Sequence, residues 1–311
     1  MASKFETFIK FSTDSVGLER TFRLLQATVQ IFSSYTLPFD LLLFTLSLWA
    51  TSIPSSSGIR STLGLLNQRL GLARRYLRLF RFLESFNAAQ KLYSQLSSAP
   101  SSPQEKSAIA KITPWLDVFA KTFNGMYFLL EASTLPHALQ IPGLSVWGLE
   151  RERVVAIEAQ RFWLFALVCG LLHNLLQIPL AVSSAPPPVG SASTTTSEKQ
   201  DSQTEAEKKD SENVSEKGPT DDMNGPEFRE WTRNRVKEVK ERTRLRRRQI
   251  LTKVRKLGRG AATNALDILI PGTFVGWINV EPGTVSVAMF VTTILTSMDV
   301  WERCGREVAG N

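Results

Sequence analysis

Residues 59–86, IRSTLGLLNQRLGLARRYLRLFRFLESF, determine how the rest of the chain is interpreted. Apolar residues recur three and four positions apart, which predicts a helix with two neighbouring apolar rows. The rows are Leu63, Leu66, Leu70, Ala73, Leu77 and Phe80, and then Leu72, Tyr76, Leu79, Leu83 and Phe86. The opposite side carries arginines, and residues 41–83 contain no acidic residue. A broad apolar face beside a purely cationic face is typical of a helix that lies in an anionic membrane interface.

Two other interpretations of this segment remain open. The first row also fits the a and d positions of a coiled coil, although no acid is available at e or g to pair with the arginines. A helix buried in a bundle is the stronger alternative, because a broad apolar stripe also suits a protein core. Gly64 and Gly71 each cost about 1 kcal/mol relative to Ala in a helix interior, which favours a helix that is completed on contact with lipid.

The expected energies support membrane binding. Each arginine near an anionic surface adds about 1 kcal/mol, and each buried Leu-sized side chain adds about 1.5–3 kcal/mol. We therefore predict that the cationic residues of this region contact anionic phospholipid; they are Arg60, Arg69, Arg74, Arg75, Arg78 and Arg81.

The pattern along the chain predicts an all-α, helical integral membrane protein with amphipathic N-terminal helices and one or two membrane spans in its C-terminal half. Its expected parts are an N-terminal helical region, a membrane span, a disordered polar linker, a polybasic helix, and a C-terminal membrane segment with a tail. They cover residues 1–160, 161–182, 183–227, 228–260 and 261–311, respectively. The linker lacks aromatic residues and has almost no aliphatic ones, so it cannot offset the entropy of ordering.

Two apolar regions are candidates for crossing the membrane. The segment FWLFALVCGLLHNLLQIPLAV, residues 162–182, has no formal charge and is long enough to cross a hydrocarbon core of about 30 Å. The C-terminal region has two shorter apolar stretches, interrupted at Glu281–Gly283. It fits either one tilted helix from about Thr284 to Val300 or a re-entrant hairpin at this interruption.

The polybasic helix contains the densest cationic cluster of the chain, at Arg244, Arg246, Arg247 and Arg248. Together with the 37 Lys and Arg against 29 Asp and Glu, this cluster raises the possibility of nucleic-acid binding. However, no helix-turn-helix, zinc-finger or aromatic-rich sheet pattern surrounds it. A polybasic segment next to an apolar one indicates anionic phospholipid instead, so we expect no nucleic-acid partner.

Motifs for catalysis and cofactor binding are missing from the sequence. It contains no phosphate-binding loop, dinucleotide-binding glycine pattern, HExxH motif, paired-cysteine metal motif or GxSxG elbow. Only two histidines are present, and His137 has no second His or Cys near it to complete a metal site. We therefore expect neither an enzyme nor a bound metal or cofactor.

Four stretches together resemble the peroxin-11 family of peroxisomal membrane proteins. They are KFETFIKFSTDSVGLERTFRLLQ (4–26), LGLARRYLRLFRFLESF (70–86), NGMYFLLEASTLPHALQ (124–140) and NALDILIPGTFVGWI (264–278). The resemblance implies a helical protein of the peroxisomal membrane whose N-terminal region faces the cytosol. It also implies self-association and recruitment of a dynamin-related fission GTPase with its membrane adaptor.

Members of this family elongate and divide peroxisomes by inserting an amphipathic helix, which residues 59–86 match. The resemblance thus assigns Arg74, Arg75, Arg78 and Arg81 to lipid contact and Leu70, Leu77, Phe80 and Leu83 to the inserted wedge.

The chain departs from the family pattern in one respect, the side of the membrane on which its polybasic stretch would lie. Two spans would place the polybasic stretch on the side opposite the termini, whereas the positive-inside rule keeps it cytosolic.

The leading hypothesis is therefore membrane remodelling. A membrane pore or metabolite channel, also proposed for this family, is the alternative. It would need a polar lining such as His173, Asn174 and Asp267.

Overall fold

A computed structural model describes residues 4–49, 55–98, 108–139, 147–183 and 225–310. These residues are helical and include no strand, which confirms the all-α prediction. The helices are α1 (Lys4–Thr13), α2 (Ser15–Ser34), α3 (Thr36–Trp49), α4 (Ser56–Leu77), α5 (Arg81–Ser98), α6 (Ala108–Ala138), α7 (Leu149–Ser183), α8 (Gly225–Asp267), α9 (Leu269–Val275) and α10 (Pro282–Ala309).

The chain divides into two compact units. One unit comprises Met1–Leu180 and Arg255–Asn311, and the other comprises Ala181–Val254. The first therefore combines the N-terminal helices with the C-terminal ones, while the second holds most of α8. The predicted disordered linker, residues 183–227, lies almost entirely outside the described residues.

Helices α2 and α10 pack side by side and run antiparallel. Arg23 of α2 donates to the Thr292 hydroxyl of α10, and Tyr35, just after α2, contacts Gly283 near the start of α10. A Cβ on Gly283 would come within 2.8 Å of the Tyr35 ring, so this close approach depends on glycine. The first and last parts of the sequence consequently form one helical pair.

On its other side, α2 packs against α4, again antiparallel. Glu19 near the start of α2 pairs with Arg74 near the end of α4, while Gln26 lies beside Gly71. Because Arg74 and Gly71 are three positions apart, they lie on the same face of α4. That face is the one directed at α2.

Helices α5 and α6 form the next antiparallel pair. Tyr93 contacts Trp115 edge to face with ring centroids 6.0 Å apart, and Phe86 packs on Gly125.

Helix α6 in turn lies antiparallel to α7. Its Tyr127 stacks on Trp163, with ring centroids 5.3 Å apart, and Thr113, near the start of α6, meets His173, farther along α7.

The last part of α8 completes the arrangement. It packs against α7, and a glycine of each of these two helices contacts an asparagine of the other. Gly170 of α7 contacts Asn264 of α8, and Gly260 of α8 contacts Asn174 of α7. Small residues of this kind let the backbones of membrane helices approach closely. The same part of α8 runs antiparallel to α10, where Asp267 meets Thr292 and Arg259 pairs with Asp299. The result is a closed ring of antiparallel segments: α2, α4 with α5, α6, α7, the end of α8 with α9, and α10.

The region predicted as one helix over residues 59–86 is two helices. The turn at Arg78–Phe80 is closed by short-range backbone bonds, such as Arg78 N–H to Arg75 O at 3.1 Å and Arg81 N–H to Arg78 O at 3.0 Å. The break has a packing reason. Helix α4 packs against α2 and α5 against α6, and a continuous helix could not turn from one neighbour to the other.

Two described helices are long and apolar enough to cross a membrane. Residues 150–183 of α7 include the span predicted at 161–182, and α10 is a single 28-residue helix beginning at Pro282. Helix α10 contains the stretch predicted as one tilted helix, and the chain turns at residues 276–281 just before it, so α10 runs antiparallel to the end of α8. A third span is possible by length and composition if α2 and α3, which meet at 100°, count as one broken helix.

Candidate functional site

The side of α4 that points away from α2 is apolar and exposed. Leu65, Leu66 and Tyr76 lie on it, and the adjoining turn and first turn of α5 add Phe80 and Leu83, which are 69% and 57% exposed. We call these five residues the outer apolar face. Soluble proteins rarely leave large side chains exposed in such a group, so this surface suits lipid or a partner.

The neighbouring helix α3 is also exposed along most of its length. Its large side chains Leu37, Leu41, Phe44, Leu48 and Trp49 face outward, and Trp49 is 90% exposed. A 14-residue apolar helix that leaves its large side chains exposed is suited to the membrane interface. The guanidinium of Arg60 on α4 lies 4.4 Å from the centre of the Phe39 ring of α3, and this contact joins the two helices.

The predicted wedge residues divide between two environments. Phe80 and Leu83 belong to the outer apolar face, whereas Leu70 and Leu77 are half-buried on the other side of α4. Leu65, Leu66 and Tyr76 were not assigned to the wedge from the sequence. All three belong to the same amphipathic stretch, but the periodicity alone does not reveal which apolar row faces outward.

The predicted lipid-binding arginines divide in a similar way. Arg60 and Arg69 are exposed, the Arg75 side chain is 40% exposed, and Arg81 is half-buried. Arg74 and Arg78 instead point into the ring, with side chains only 11% exposed. Their observed partners are carboxylates of other helices. Lipid contact by all six arginines stays a prediction.

Arg74 joins α4 to α2 through three hydrogen bonds. Its Nε and Nη2 donate to one oxygen of Glu19 at 3.2 and 3.1 Å, and its Nη1 donates to Gln26 at 2.6 Å. Burial lowers the pKa of Arg74 to about 10, so the guanidinium is still charged at neutral pH. Charge-assisted bonds of this geometry are among the stronger ones in proteins.

Arg78 makes the corresponding connection to α6. Its Nη2 donates to Glu131 at 2.8 Å, and the Tyr127 hydroxyl donates to the same carboxylate at 3.0 Å. Burial alone would lower the pKa of Arg78, but the Glu131 carboxylate, together with the Tyr127 hydroxyl, outweighs it and raises this pKa. Burial also raises the pKa of Tyr127 to about 12, which keeps the phenol protonated and able to donate.

A third buried pair lies between α2 and the end of α8. Arg23 Nη2 and the Thr292 hydroxyl both donate to the same oxygen of Asp267, each at 2.6 Å. The side chains of Arg23 and Asp267 are 5% and 8% exposed. Because buried charges are costly unless paired and hydrogen-bonded, these pairs specify which helices adjoin one another.

The three ion pairs surround a cavity of about 350 Å³ at the centre of the ring. Side chains from α2, α4, α5, α6, α7, α8 and α10 line it. Asp267, one of the polar residues expected for a pore lining, is among them, whereas His173 and Asn174 are not. His173 instead contacts the Thr113 carbonyl oxygen at 2.9 Å, and Asn174 packs against Gly260.

The polybasic cluster is described within its own unit. Arg244, Arg246, Arg247 and Arg248 are all exposed on α8. The surrounding helix from residue 233 to residue 249 is exposed at nearly every position. This accessibility is compatible with the phospholipid contact predicted from the sequence.

The histidines have structural contacts. His137 pairs with Glu152 at 2.9 Å, which joins the end of α6 to the start of α7. Across the described ranges, no group of three or more His, Cys, Asp or Glu side chains is arranged to hold a metal ion.

Sequence reasoning identified Asp267 only as a possible pore residue and did not identify Glu19 or Glu131 at all. The sequence did indicate that these acids have partners, because ionisable residues on otherwise apolar helices of membrane proteins pair with one another. Their partners could not be inferred, since Arg23 and Asp267 are separated by 244 positions in the sequence.

Comparison with known proteins identifies one family. The family model of peroxisomal biogenesis factor 11 (PEX11) matches residues 44–301, which is most of the chain. No curated protein and no solved structure matches the sequence.

Proposed function

This chain belongs to the peroxisomal biogenesis factor 11 family, and from that premise we propose that it elongates and divides peroxisomes by bending their membrane. Membership places it in the peroxisomal membrane and in peroxisome biogenesis. In the proposed mechanism, α4 and the first turn of α5 insert their outer apolar face into one leaflet. The area of that leaflet then expands, and the membrane curves.

One observation carries the proposal. The outer apolar face stands beside the arginines that remain exposed on α4, Arg60, Arg69 and Arg75. On a helix, Arg69 shares a side with Leu65, Leu66 and Tyr76, which lie four, three and seven positions from it, respectively. Apolar side chains can therefore enter the acyl region while a guanidinium reaches the phosphates, as in other interfacial helices.

The expected energies are sufficient for stable binding. Burial of a Leu-sized side chain adds about 1.5–3 kcal/mol, and each arginine near an anionic surface adds about 1 kcal/mol. The summed contribution of a few such residues exceeds roughly 5.5 kcal/mol, the free energy that shifts an equilibrium between free and membrane-bound helix from one percent bound to ninety-nine percent bound. The exposed apolar side of α3 would enlarge the inserted area further.

The test uses the full-length chain reconstituted into anionic liposomes. Leu65→Asp with Leu66→Asp should abolish tubulation seen by electron microscopy, because two charges would have to enter the acyl region. The control is Gln90→Asp with Lys91→Asp, at exposed polar positions of α5. Tubulation that survives the first pair, or is lost equally with both pairs, would contradict insertion of this face.

A second candidate function is a peroxisomal pore or metabolite channel. The observation that favours it is the charged cavity at the centre of the ring. Solute release from loaded liposomes separates the two functions. A pore requires release that depends on cavity residues and is insensitive to substitution of the outer apolar face, whereas remodelling requires the opposite dependence.

We also propose, from family membership, that the N-terminal region faces the cytosol. We propose further that the chain self-associates and recruits a dynamin-related fission GTPase with its membrane adaptor. Oligomerisation would concentrate inserted wedges in one patch of membrane. Crosslinking of the reconstituted full-length chain should trap dimers or larger species at low protein-to-lipid ratio, and a purely monomeric pattern would contradict self-association.

A further inference from the structure

The charges around the central cavity are unbalanced. The cations that line it are Arg20, Arg23, Arg74, Arg78, Arg81 and Lys121, and the acids are Glu19, Glu84 and Asp267. Glu131, outside the lining, compensates one more cation through its bond to Arg78. An excess of positive charge remains in this half-open cavity. Lys121 and Glu84 lie at its exposed rim, whereas its inner part around Glu19 and Arg23 is buried, and there the attraction of an anion is stronger than in bulk water.

Two of these cations form no ion pair. Among the described residues, no carboxylate lies within 4.0 Å of Arg81 or Lys121, whereas Arg20 pairs with Glu19 at 3.6 Å. Arg81 lies against the Phe128 ring at 5.7 Å. The donors of these residues are therefore available to a ligand in the cavity.

Several buried donors also lack a partner. In the part of the chain that the structure describes, the Nε atoms of Arg23 and Arg78 are buried without a hydrogen bond, and both residues line the cavity, whereas the Arg20 Nε faces a Glu19 carboxylate oxygen at 3.6 Å. Arg23 is 4% exposed, so water has little access to it. Unsatisfied buried donors are rare and call for an explanation, and a bound anion provides one.

We propose that this cavity is a binding site for a phosphate-bearing anion, either a soluble phosphomonoester or a phospholipid headgroup that enters between helices. A guanidinium group can donate two parallel hydrogen bonds to two oxygens of a phosphate. A phosphomonoester also carries nearly two negative charges, so it balances several cations better than a carboxylate ligand, which carries one. Ser85, Asn124 and Thr263 add neutral hydrogen-bonding groups, and Trp163 adds an apolar wall.

The size of the cavity restricts the ligand. A volume of about 350 Å³ is at the lower end of the range for small-molecule sites, about 300–1,000 Å³. It suits a single small phosphate ester or headgroup and excludes a macromolecule. The proposal goes beyond membrane bending and does not depend on it, because none of the five residues of the outer apolar face lines the cavity.

The experiment measures binding to the full-length chain in phosphatidylcholine nanodiscs at fixed salt. Glycerol 3-phosphate is titrated by calorimetry, with glycerol as the uncharged control, and a second series places phosphatidic acid in the disc and follows the thermal midpoint. The test variant is Arg81→Gln with Lys121→Gln, and Lys121→Gln alone serves if the pair fails to fold. The matched control is Lys91→Gln with Lys111→Gln, which removes two exposed cations from the same two helices, α5 and α6.

Saturable binding of glycerol 3-phosphate that weakens at least tenfold in the test variant, and is unchanged in the control, supports a soluble ligand. A response to phosphatidic acid alone, with the same dependence on the variants, supports a headgroup. No saturable response to either probe, or an equal loss in both variants, would overturn the proposal, since any remaining attraction would then be nonspecific.

Discussion

At the scale of single residues, the buried pair of Arg23 and Asp267 connects three helices. Both side chains lie far from solvent, and Thr292 donates to the same carboxylate oxygen. Removal of one partner from a buried pair costs about 3–5 kcal/mol, because the other charge is left uncompensated, whereas replacement of both by apolar groups is often tolerated. The pair thus contributes to the choice of helical neighbours more than to net stability.

We predict that Asp267→Leu lowers the free energy of unfolding by about 3 kcal/mol or more. Adding Arg23→Met to that variant should recover much of the loss. The exposed pair of Arg303 and Asp14 is the control, and Arg303→Met should cost less than about 1 kcal/mol. Thermal unfolding in detergent measures all three. If Asp267→Leu and the double variant are equally stable, then the Arg23 charge is not left uncompensated by the loss of Asp267.

A pH-dependent effect is expected from Tyr127. Burial raises its pKa to about 12, against about 10 for an unfolded chain. Between these values the folded state keeps a proton that the unfolded state releases, so stability falls as pH rises through this window. Tyr127→Phe should make the decline between pH 10 and 12 shallower, and Tyr93→Phe on α5 is the control. Identical slopes for the wild type and Tyr127→Phe would refute the role of the phenol.

At the scale of elements, α4 shows what periodicity can and cannot reveal. The periodic pattern correctly predicts helix in this region, which the structure divides between α4 and α5. It does not specify which side faces outward. Arg74 is directed inward by Glu19, an acid 55 positions earlier, and this contact turns Leu70 and Leu77 towards the ring and Leu65 and Tyr76 away from it.

The break between α4 and α5 was unpredictable for the same reason. Residues 78–80 contain no glycine or proline that would end a helix. The turn follows from two tertiary contacts, since Arg74 pairs with α2 and Arg78 pairs with α6. By contrast, the separate helices α1 and α2 were predictable, because Asp14 caps α2 with a side-chain bond to the Gly17 N–H at 3.0 Å.

The contact of α5 with α6 depends on Gly125. A Cβ there would lie 2.7 Å from the Phe86 ring, so Gly125→Ala should lower stability by about 1–3 kcal/mol through overpacking. Gly64 has no atom within 4 Å of such a Cβ, so Gly64→Ala should stabilise the chain by up to about 1 kcal/mol through helix propensity. Thermal unfolding distinguishes the two substitutions, and a shift of the same sign in both would contradict this interpretation of the interface.

At the scale of the whole molecule, the directions of the helices constrain how the chain crosses the membrane. Helices α7 and α10 each run antiparallel to the last part of α8, so they are parallel to one another. Two parallel spans require the chain to return between them. Residues 255–275, the end of α8 with α9, extend about 31 Å, which is long enough for that return, although this segment is not among the helices that are apolar enough to cross a membrane by themselves.

We predict an additional crossing by this segment, which would remove the conflict over sidedness that the sequence raised. The polybasic part of α8 precedes the segment in the sequence, so such a crossing would put it on the side of the membrane where α10 ends. Helix α1 is on that side too, since Lys10 and Phe11 contact Glu307 and Trp301. Both termini and the cationic cluster then share one side if the chain also crosses once before α7, for which the broken pair of α2 and α3 is the candidate. The positive-inside rule predicts that this shared side is the cytosol. The sequence could not show this, because a segment with a central aspartate does not resemble a span until its Arg23 partner is known.

We predict the resulting pattern of exposure in intact peroxisomes. In a chain with Cys169→Ser and Cys304→Ser, the single substitutions Ser202→Cys and Arg306→Cys should react with a membrane-impermeant maleimide from the cytosol. Asn279→Cys, in the exposed turn between α9 and α10, should react only after permeabilisation. Without the return, positions 202 and 279 would lie on one side of the membrane. Matching reactivity at those two positions would therefore contradict the additional crossing, while opposite reactivity would require it.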